Sequence, residues 1–250
     1  MWNYRELIWR LTVTEFKNRY QNTFLGFFWS LLSPLLLSGV LYFVFRYLFQ
    51  QEQNYAANLL VGIIAWRFFA SGTGSALGAI VGKANLVTKV YIPRQILVLS
   101  NVLANLIGSF LEFLVLIPIL LILFGKLPLT IFLLPIVHLL FFPLIYGLGL
   151  FLSALFVYFR DLNQIWEVLI QILFFCSPII YPLSIVPAYL LPYYMLNPVT
   201  QILAAYRSVM IDGTLPSSNS LLFLIFCGIT AVIIGNIFFS KLQRRFAEAI

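Results

Sequence analysis

Charge is scarce in this sequence: only 9% of its 250 residues are Asp, Glu, Lys or Arg. A water-soluble domain of this length carries about a quarter charged residues, so too little polar surface is available to coat one. Eight acidic residues and one histidine, His138, leave almost nothing from which to assemble an acid–base pair or a metal site. His138 lies in an apolar run, where a histidine reads first as a hydrogen bonder between helices. Cys176 and Cys227 have neither metal-ligand spacing nor disulfide partners and say nothing about redox compartment. A phosphate-cradling loop is also missing. Its nearest approach, Gly78-Ala-Ile-Val-Gly82-Lys83-Ala84, is one residue short and has Ala where the Mg²⁺-binding hydroxyl belongs.

What is present is apolar: 62% hydrophobic residues and a mean hydropathy of +1.00. Lipid is therefore the expected solvent. The formal net charge of +7 reads as membrane topology and contact with anionic headgroups, with no nucleic-acid partner. Crossing roughly 30 Å of hydrocarbon takes about 20 residues, and the chain offers six such runs, near 31–49, 59–81, 96–124, 131–157, 164–182 and 221–240. The third and fourth are long enough to tilt. The first 22 residues are charged and lack a small-residue cleavage site, so they read as a retained segment and not a secretory signal. The expected fold is an all-α integral membrane domain over 1–250 with six transmembrane helices.

Basic residues set the orientation. With the N-terminus inside, inner segments hold Arg5, Arg10, Lys17, Arg19, Lys83, Lys89, Arg94, Arg160, Lys241, Arg244 and Arg245, and outer segments hold only Lys126 and Arg207. Such a bias places both termini in the cytoplasm.

Three segments are not simple spans. Residues 1–22 put Trp2, Trp9, Val13, Phe16 and Tyr20 on one helical face, the pattern of an interfacial helix on the inner leaflet. Leu7 and Leu11 fall on the opposite face, where a cytoplasmic partner could bind. The second inner connection, 83–94, carries Leu86, Val87, Val90, Tyr91 and Ile92, more apolar than a solvated loop needs; it is either an ordinary basic loop or a docking element. The outer segment 183–220 is broken by Pro187, Pro192, Pro198 and Pro216, which predicts two short re-entrant or interfacial helices near 185–195 and 198–211.

Ionisable residues inside spans need a reason. Arg46 is near a helix end and can snorkel. Arg67 and Glu112 are deeper, at comparable depths, and are expected to pair between the second and third spans, either as a structural tie or as pore-lining groups. Aromatics make up 17% of the chain. Most belong to lipid-facing and interfacial belts, and some could offer stacking platforms to sugar rings along a conduit.

The stretch Phe16-Lys-Asn-Arg19-Tyr20-Gln21-Asn-Thr23-Phe-Leu25-Gly26-Phe-Phe-Trp29-Ser30-Leu-Leu-Ser-Pro34 closely resembles the start of the membrane subunits of ABC-2 type polysaccharide exporters. Further similarity lies in 85–94, in Phe159-Arg160-Asp161-Leu162, and in Asn197-Pro198 with Tyr206-Arg207. The resemblance implies a permease of the bacterial inner (cytoplasmic) membrane that exports O-antigen, capsule or teichoic acid on a polyprenyl-diphosphate carrier. It implies a homodimer served by two copies of a cytoplasmic ABC ATPase. ATP and Mg²⁺ then belong to that partner, and this chain binds no cofactor. By the same resemblance Arg19, Tyr20, Thr23, Leu25, Gly26 and Trp29 border the substrate entrance. Leu7, Leu11, Asn85, Leu86, Lys89, Tyr91, Pro93 and Arg94 couple to the ATPase, and Asn197, Pro198, Tyr206 and Arg207 belong to outer gate helices. Two alternatives stay open on the residues alone: a permease for a drug or small lipid, and an integral membrane enzyme acting on lipid-linked sugars.

Overall fold

The computed structural model describes residues 4–21, 26–48, 54–90, 92–125 and 127–246, with the backbone alone at positions 27, 123 and 124. Thr23, Leu25, Tyr91 and Lys126, and Trp2 of the aromatic stripe, lie outside the described residues. Among the described residues ten α-helices run in order: α1 (Arg5–Tyr20), α2 (Phe27–Phe45), α3 (Tyr55–Leu77), α4 (Ala84–Lys89), α5 (Gln95–Phe124), α6 (Leu134–Tyr158), α7 (Leu162–Cys176), α8 (Leu191–Met195), α9 (Pro198–Arg207) and α10 (Ser218–Leu242). No strand occurs among the described residues, as expected where lipid cannot satisfy backbone groups and a helix satisfies its own.

Five of these helices are long and apolar enough to cross a membrane: α2, α3, α5, α6 and α10. The fifth expected span is shorter. Residues 164–182 were expected to cross, yet α7 has 15 residues and stops at Cys176, a length of about 22 Å. Pro178 accounts for the stop, because the residue before a proline is driven out of the helical region and Ser177 is extended (φ −108°, ψ 144°). The first two spans begin about four residues earlier than hydropathy placed them. In the outer segment the first expected helix shrinks to a 3₁₀ turn, Leu183–Ile185, and the five-residue α8; α9 continues through a π turn, Ser208–Asp212.

Helix α3 is the hub. It packs against α2, α5, α6, α7 and α9, and most of its side chains are buried. Helix α10 is held against α6 by two glycines: a Cβ on Gly147 would overlap the Ala231 backbone, and one on Gly235 would overlap the Gly147 carbonyl. Close backbone approach of this kind drives helix association in lipid. The outward faces of α2, α7 and α10 carry exposed large apolar side chains, among them Phe28, Phe43, Phe175 and Phe226.

Contacts distant in sequence define the two ends of the bundle. At one end the Lys83 ammonium stands 2.5 Å from Glu15 Oε1, a half-buried ionic contact without directed hydrogen-bond geometry. There, too, Tyr158 Oη donates to Leu242 O at 2.8 Å and Arg94 donates to the Gln243 carbonyl. At the other end Tyr55 Oη donates to Ile180 O and Thr130 Oγ1 to Val209 O, both at 2.8 Å. The residues 81–94, α1 and the last turn of α10 therefore share one end, and 177–212 share the other.

Candidate functional site

A polar cavity of about 450 Å³ opens where α1, α2, α3 and α5 meet, and its wall includes Arg19, Tyr20, Gly26, Trp29, Arg67 and Glu112. Polar stripes on the helices build it. On α5, Asn101, Asn105, Ser109 and Glu112 follow one another at spacings of four, four and three; on α3, Arg67, Ser71 and Ser75 repeat every four. Both spacings stack residues on one helical face. Because α3 and α5 run antiparallel, Arg67 meets Glu112 while Ser71 and Ser75 meet Asn105.

Asn105 is the centre of the network. Its Oδ1 accepts from Arg19 Nη1 at 2.6 Å and from Ser71 Oγ at 2.5 Å; its Nδ2 donates to Ser75 Oγ at 2.6 Å and to the Asn101 carbonyl at 2.9 Å. An amide side chain has two donors and a two-lone-pair acceptor, so this buried residue is fully used. Above it, Arg67 Nη2 lies 3.8 Å from Glu112 Oε1. A hydrogen bond from Ser30 reaches Glu112, and Ser30 also bonds Tyr20. Burial pushes the Tyr20 hydroxyl above its ordinary range, against the opposing pull of Arg19, so it stays protonated.

Helix α1 was expected to lie along a membrane surface. Over its last turns it also leans on α5: Tyr20 Oη would stand only 3.1 Å from a Cβ at Gly108, so the absent side chain admits the phenol. Asn105 is ten residues into α5, about 15 Å from its start, and Arg19 is carried to that depth. The aromatic stripe divides, with Phe16 and Tyr20 facing inward and Trp9 60% exposed. Leu11, assigned from the helical wheel to an outward partner face, packs against the core; the inward face takes 8, 11, 12, 15 and 16 because α5 fixes the rotation of α1. Leu7 is half-buried.

The connection 83–94 is partly anchored on the bundle. Val87 is buried, and Leu86 and Ile92 pack against the core, so much of the apolar surplus anchors the segment. Asn85, Thr88, Lys89 and Val90 remain exposed. Thr88, Lys89 and Val90, with Pro93, Arg94 and Arg244, border a groove of about 800 Å³. Arg94 also lies over the Phe246 ring at 5.7 Å, tying this segment to the chain's last described turn.

At the opposite end α9 is clamped. Asn197 caps it, accepting from Val199 N at 2.9 Å and donating to Ser177 Oγ at 3.1 Å, with Pro198 at the first helical position. Arg207 donates to the carbonyls of Asn58 and Ile179 at 3.1–3.3 Å. Burial raises the Asp212 carboxyl above its ordinary range, and Arg207 partly offsets this. Tyr206 is fully buried; its hydroxyl lies 2.7 Å from His138 Nδ1. His138 Nε2 faces the Leu106 carbonyl at 3.2 Å. A carbonyl only accepts, so Nε2 carries the proton and Tyr206 donates to Nδ1. The His138 ring stacks on Phe68 with centroids 4.5 Å apart, and Phe68 borders the polar cavity.

The residues the sequence reading missed are Ser71, Ser75, Asn101, Asn105 and Ser109. Their signal was the four-residue polar stripe within two otherwise apolar runs, which whole-window hydropathy averages away.

A multi-helix membrane chain with a charged cavity inside the bundle and a clamped short helix at one end has the organisation of a transporter's membrane domain. Residues 6–211 match the ABC-2 type transporter family, and the chain belongs to it. It is 31% identical to the O-antigen export system permease protein RfbA of Myxococcus xanthus, across 100% of this chain and 97% of the relative. The protein of that name from Klebsiella pneumoniae is 29% identical across 98% and 95%. The polysialic acid transport protein KpsM of Escherichia coli is 24% identical across 90% and 89%.

Proposed function

We propose that the chain is the permease subunit of an ATP-driven exporter that moves a lipid-linked polysaccharide, of the O-antigen class, across the bacterial inner membrane. Near full-length similarity to permeases of that name supports the substrate class. The observation that carries the transport reading is on α7. Gln164, Glu167 and Gln171 are exposed there at spacings of three and four, on a helix otherwise rich in Ile, Leu and Phe. A lipid-facing carboxylate is costly, so this stripe calls for water. Two copies that face each other across α2 and α7 supply a wet corridor between them. Aromatic side chains on these faces, such as Phe175, then make weak, distributed contacts with sugar rings. Weak contacts suit a moving chain, which tight binding would stall.

The cavity receives the anionic diphosphate of the carrier from the inner leaflet, with Arg19 at its edge. The end carrying α1, 83–94 and the last turn of α10 is cytoplasmic. There Asn85, Lys89 and the groove beside Arg94 seat a separate ATPase subunit, which holds the nucleotide and Mg²⁺. Its closure draws the two permeases' inner ends together and opens the path. At the outer end α9 acts as a fixed wall, while α8 and the turn before it, with exposed Tyr193 and Tyr189, form the part that gates.

The test is genetic. Cells lacking this chain should stop displaying the surface glycan and accumulate it, lipid-linked, on the cytoplasmic side; the chain supplied together with its ATPase should restore display. Normal display in the deletion strain would refute the reading.

A further inference from the structure

The cavity holds one charge too many. Among the described residues Arg19 and Arg67 supply two cations and Glu112 one anion; Arg19 is exposed and Arg67 part-exposed, so the excess positive charge faces the cavity's opening and attracts an anion. We propose that Arg67 is a second phosphate-binding arm, held in reserve by Glu112: a phosphate-bearing headgroup entering the cavity draws Arg67 off the carboxylate and is shared between Arg67 and Arg19. This deepens, and rests on, the reading of the chain as an exporter of a diphosphate-linked carrier.

The geometry of the pair supports an exchange. At 3.8 Å the Arg67–Glu112 contact is longer than a hydrogen bond. The two partners are also unequal: the Arg67 side chain is 31% exposed and that of Glu112 8%. The guanidinium therefore faces the cavity while the carboxylate backs it. When Arg67 leaves, Glu112 keeps the attraction of Arg19 and its hydrogen bond from Ser30, so release does not leave the carboxylate without a cation. Arg19 is pre-positioned, because Asn105 that grips it is itself pinned by Ser71 and Ser75. A planar guanidinium presents five N–H donors in a fork matched to phosphate oxygens, and the Asn105 contact engages one nitrogen of Arg19. Lastly, Ser109 lines the cavity, and its buried Oγ has no hydrogen-bond partner, a cost that turning the hydroxyl toward a ligand oxygen would offset.

The test uses the exporter complex, permease with ATPase, in nanodiscs of zwitterionic lipid. Binding of a short-chain isoprenyl diphosphate, the parent isoprenyl alcohol and inorganic pyrophosphate is compared by calorimetry. The diphosphate should bind at least about tenfold more tightly than the alcohol, and Arg67→Gln should remove about tenfold of that affinity, the scale of one charge-assisted contact. Glu112→Gln should bind the diphosphate more tightly than the unaltered complex, because the competing anion is gone. Arg67→Lys should fall between, and unchanged alcohol binding in each variant reports an intact fold. If Glu112→Gln binds the diphosphate no better, or Arg67→Gln no worse, the pair is only a structural tie and the exchange is wrong, while export itself stands. If the unaltered complex does not prefer diphosphate to alcohol, the headgroup role of the whole cavity falls. Pyrophosphate binding as tight as the isoprenyl diphosphate, or displacement by phosphatidylglycerol at equal concentration, would overturn the carrier as occupant.

Discussion

Asn105 grips Arg19 across 86 positions of sequence, Nη1 to Oδ1 at 2.6 Å, and so sets how far α1 reaches into the bundle. The contact joins the first helix to the site that α3 and α5 build, and its removal is the simplest probe of that site.

Replacing Asn105 with Ala cuts three interhelical hydrogen bonds, to Arg19, Ser71 and Ser75. Hydrogen bonds between membrane helices average about 0.6 kcal/mol each, so Asn105→Ala should lose about 2 kcal/mol. A stability measurement in mild detergent checks this. Export should fall further than stability does, because Arg19 loses its position.

The His138–Tyr206 pair joins α6 to α9, and each side chain leaves the other's buried polar atom unmet when removed. Tyr206→Phe and His138→Phe should each destabilise by about 1 to 2 kcal/mol. The double replacement should cost less than the two together, a coupling measurable in a double-mutant cycle. Simple additivity would show that the hydrogen bond contributes nothing.

The α6–α10 crossing tolerates no side chain at its two glycines. Gly147→Val and Gly235→Val should abolish assembly, read as loss of the monodisperse peak on size exclusion. At Gly74 an added methyl would meet nothing within 4 Å, and Gly74→Ala should be neutral or stabilising by up to about 1 kcal/mol.

The α7 stripe should be wet in the assembled exporter. With Cys176 and Cys227 replaced by Ser, single cysteines at Gln164, Glu167 and Gln171 should react quickly with a membrane-impermeant maleimide. Cysteines at Ile165 and Ile172, a third of a turn away, should react slowly. Equal rates on both faces would remove α7 from the corridor.

The long spans were legible because lipid imposes one crude demand, about 20 apolar residues, and hydropathy reads it directly. The comparable depths of Arg67 and Glu112 were legible for the same reason: 1.5 Å per residue turns position into height. The rotation of α1 was not. Trp9 and Leu11 sit on faces that only α5 chooses, and no periodicity within α1 encodes where Gly108 will be. Nor was the inward turn of Leu86, Val87 and Ile92, since an apolar residue in a basic loop reads alike whether it anchors the loop or receives a partner. The early end of α7 was written in Ser177-Pro178 and was hidden by the apolar Ile179-Ile180 beyond.

The most direct measurement reconstitutes the purified chain in vesicles, with and without its ATPase, and follows a fluorescent lipid-linked glycan. With both proteins and ATP, the glycan should pass into the vesicle lumen from the ATPase side, and the chain alone should neither hydrolyse ATP nor move it. Transport by the chain alone, or hydrolysis without the second protein, would contradict the claim that this helical bundle is a path whose driving force comes from a partner.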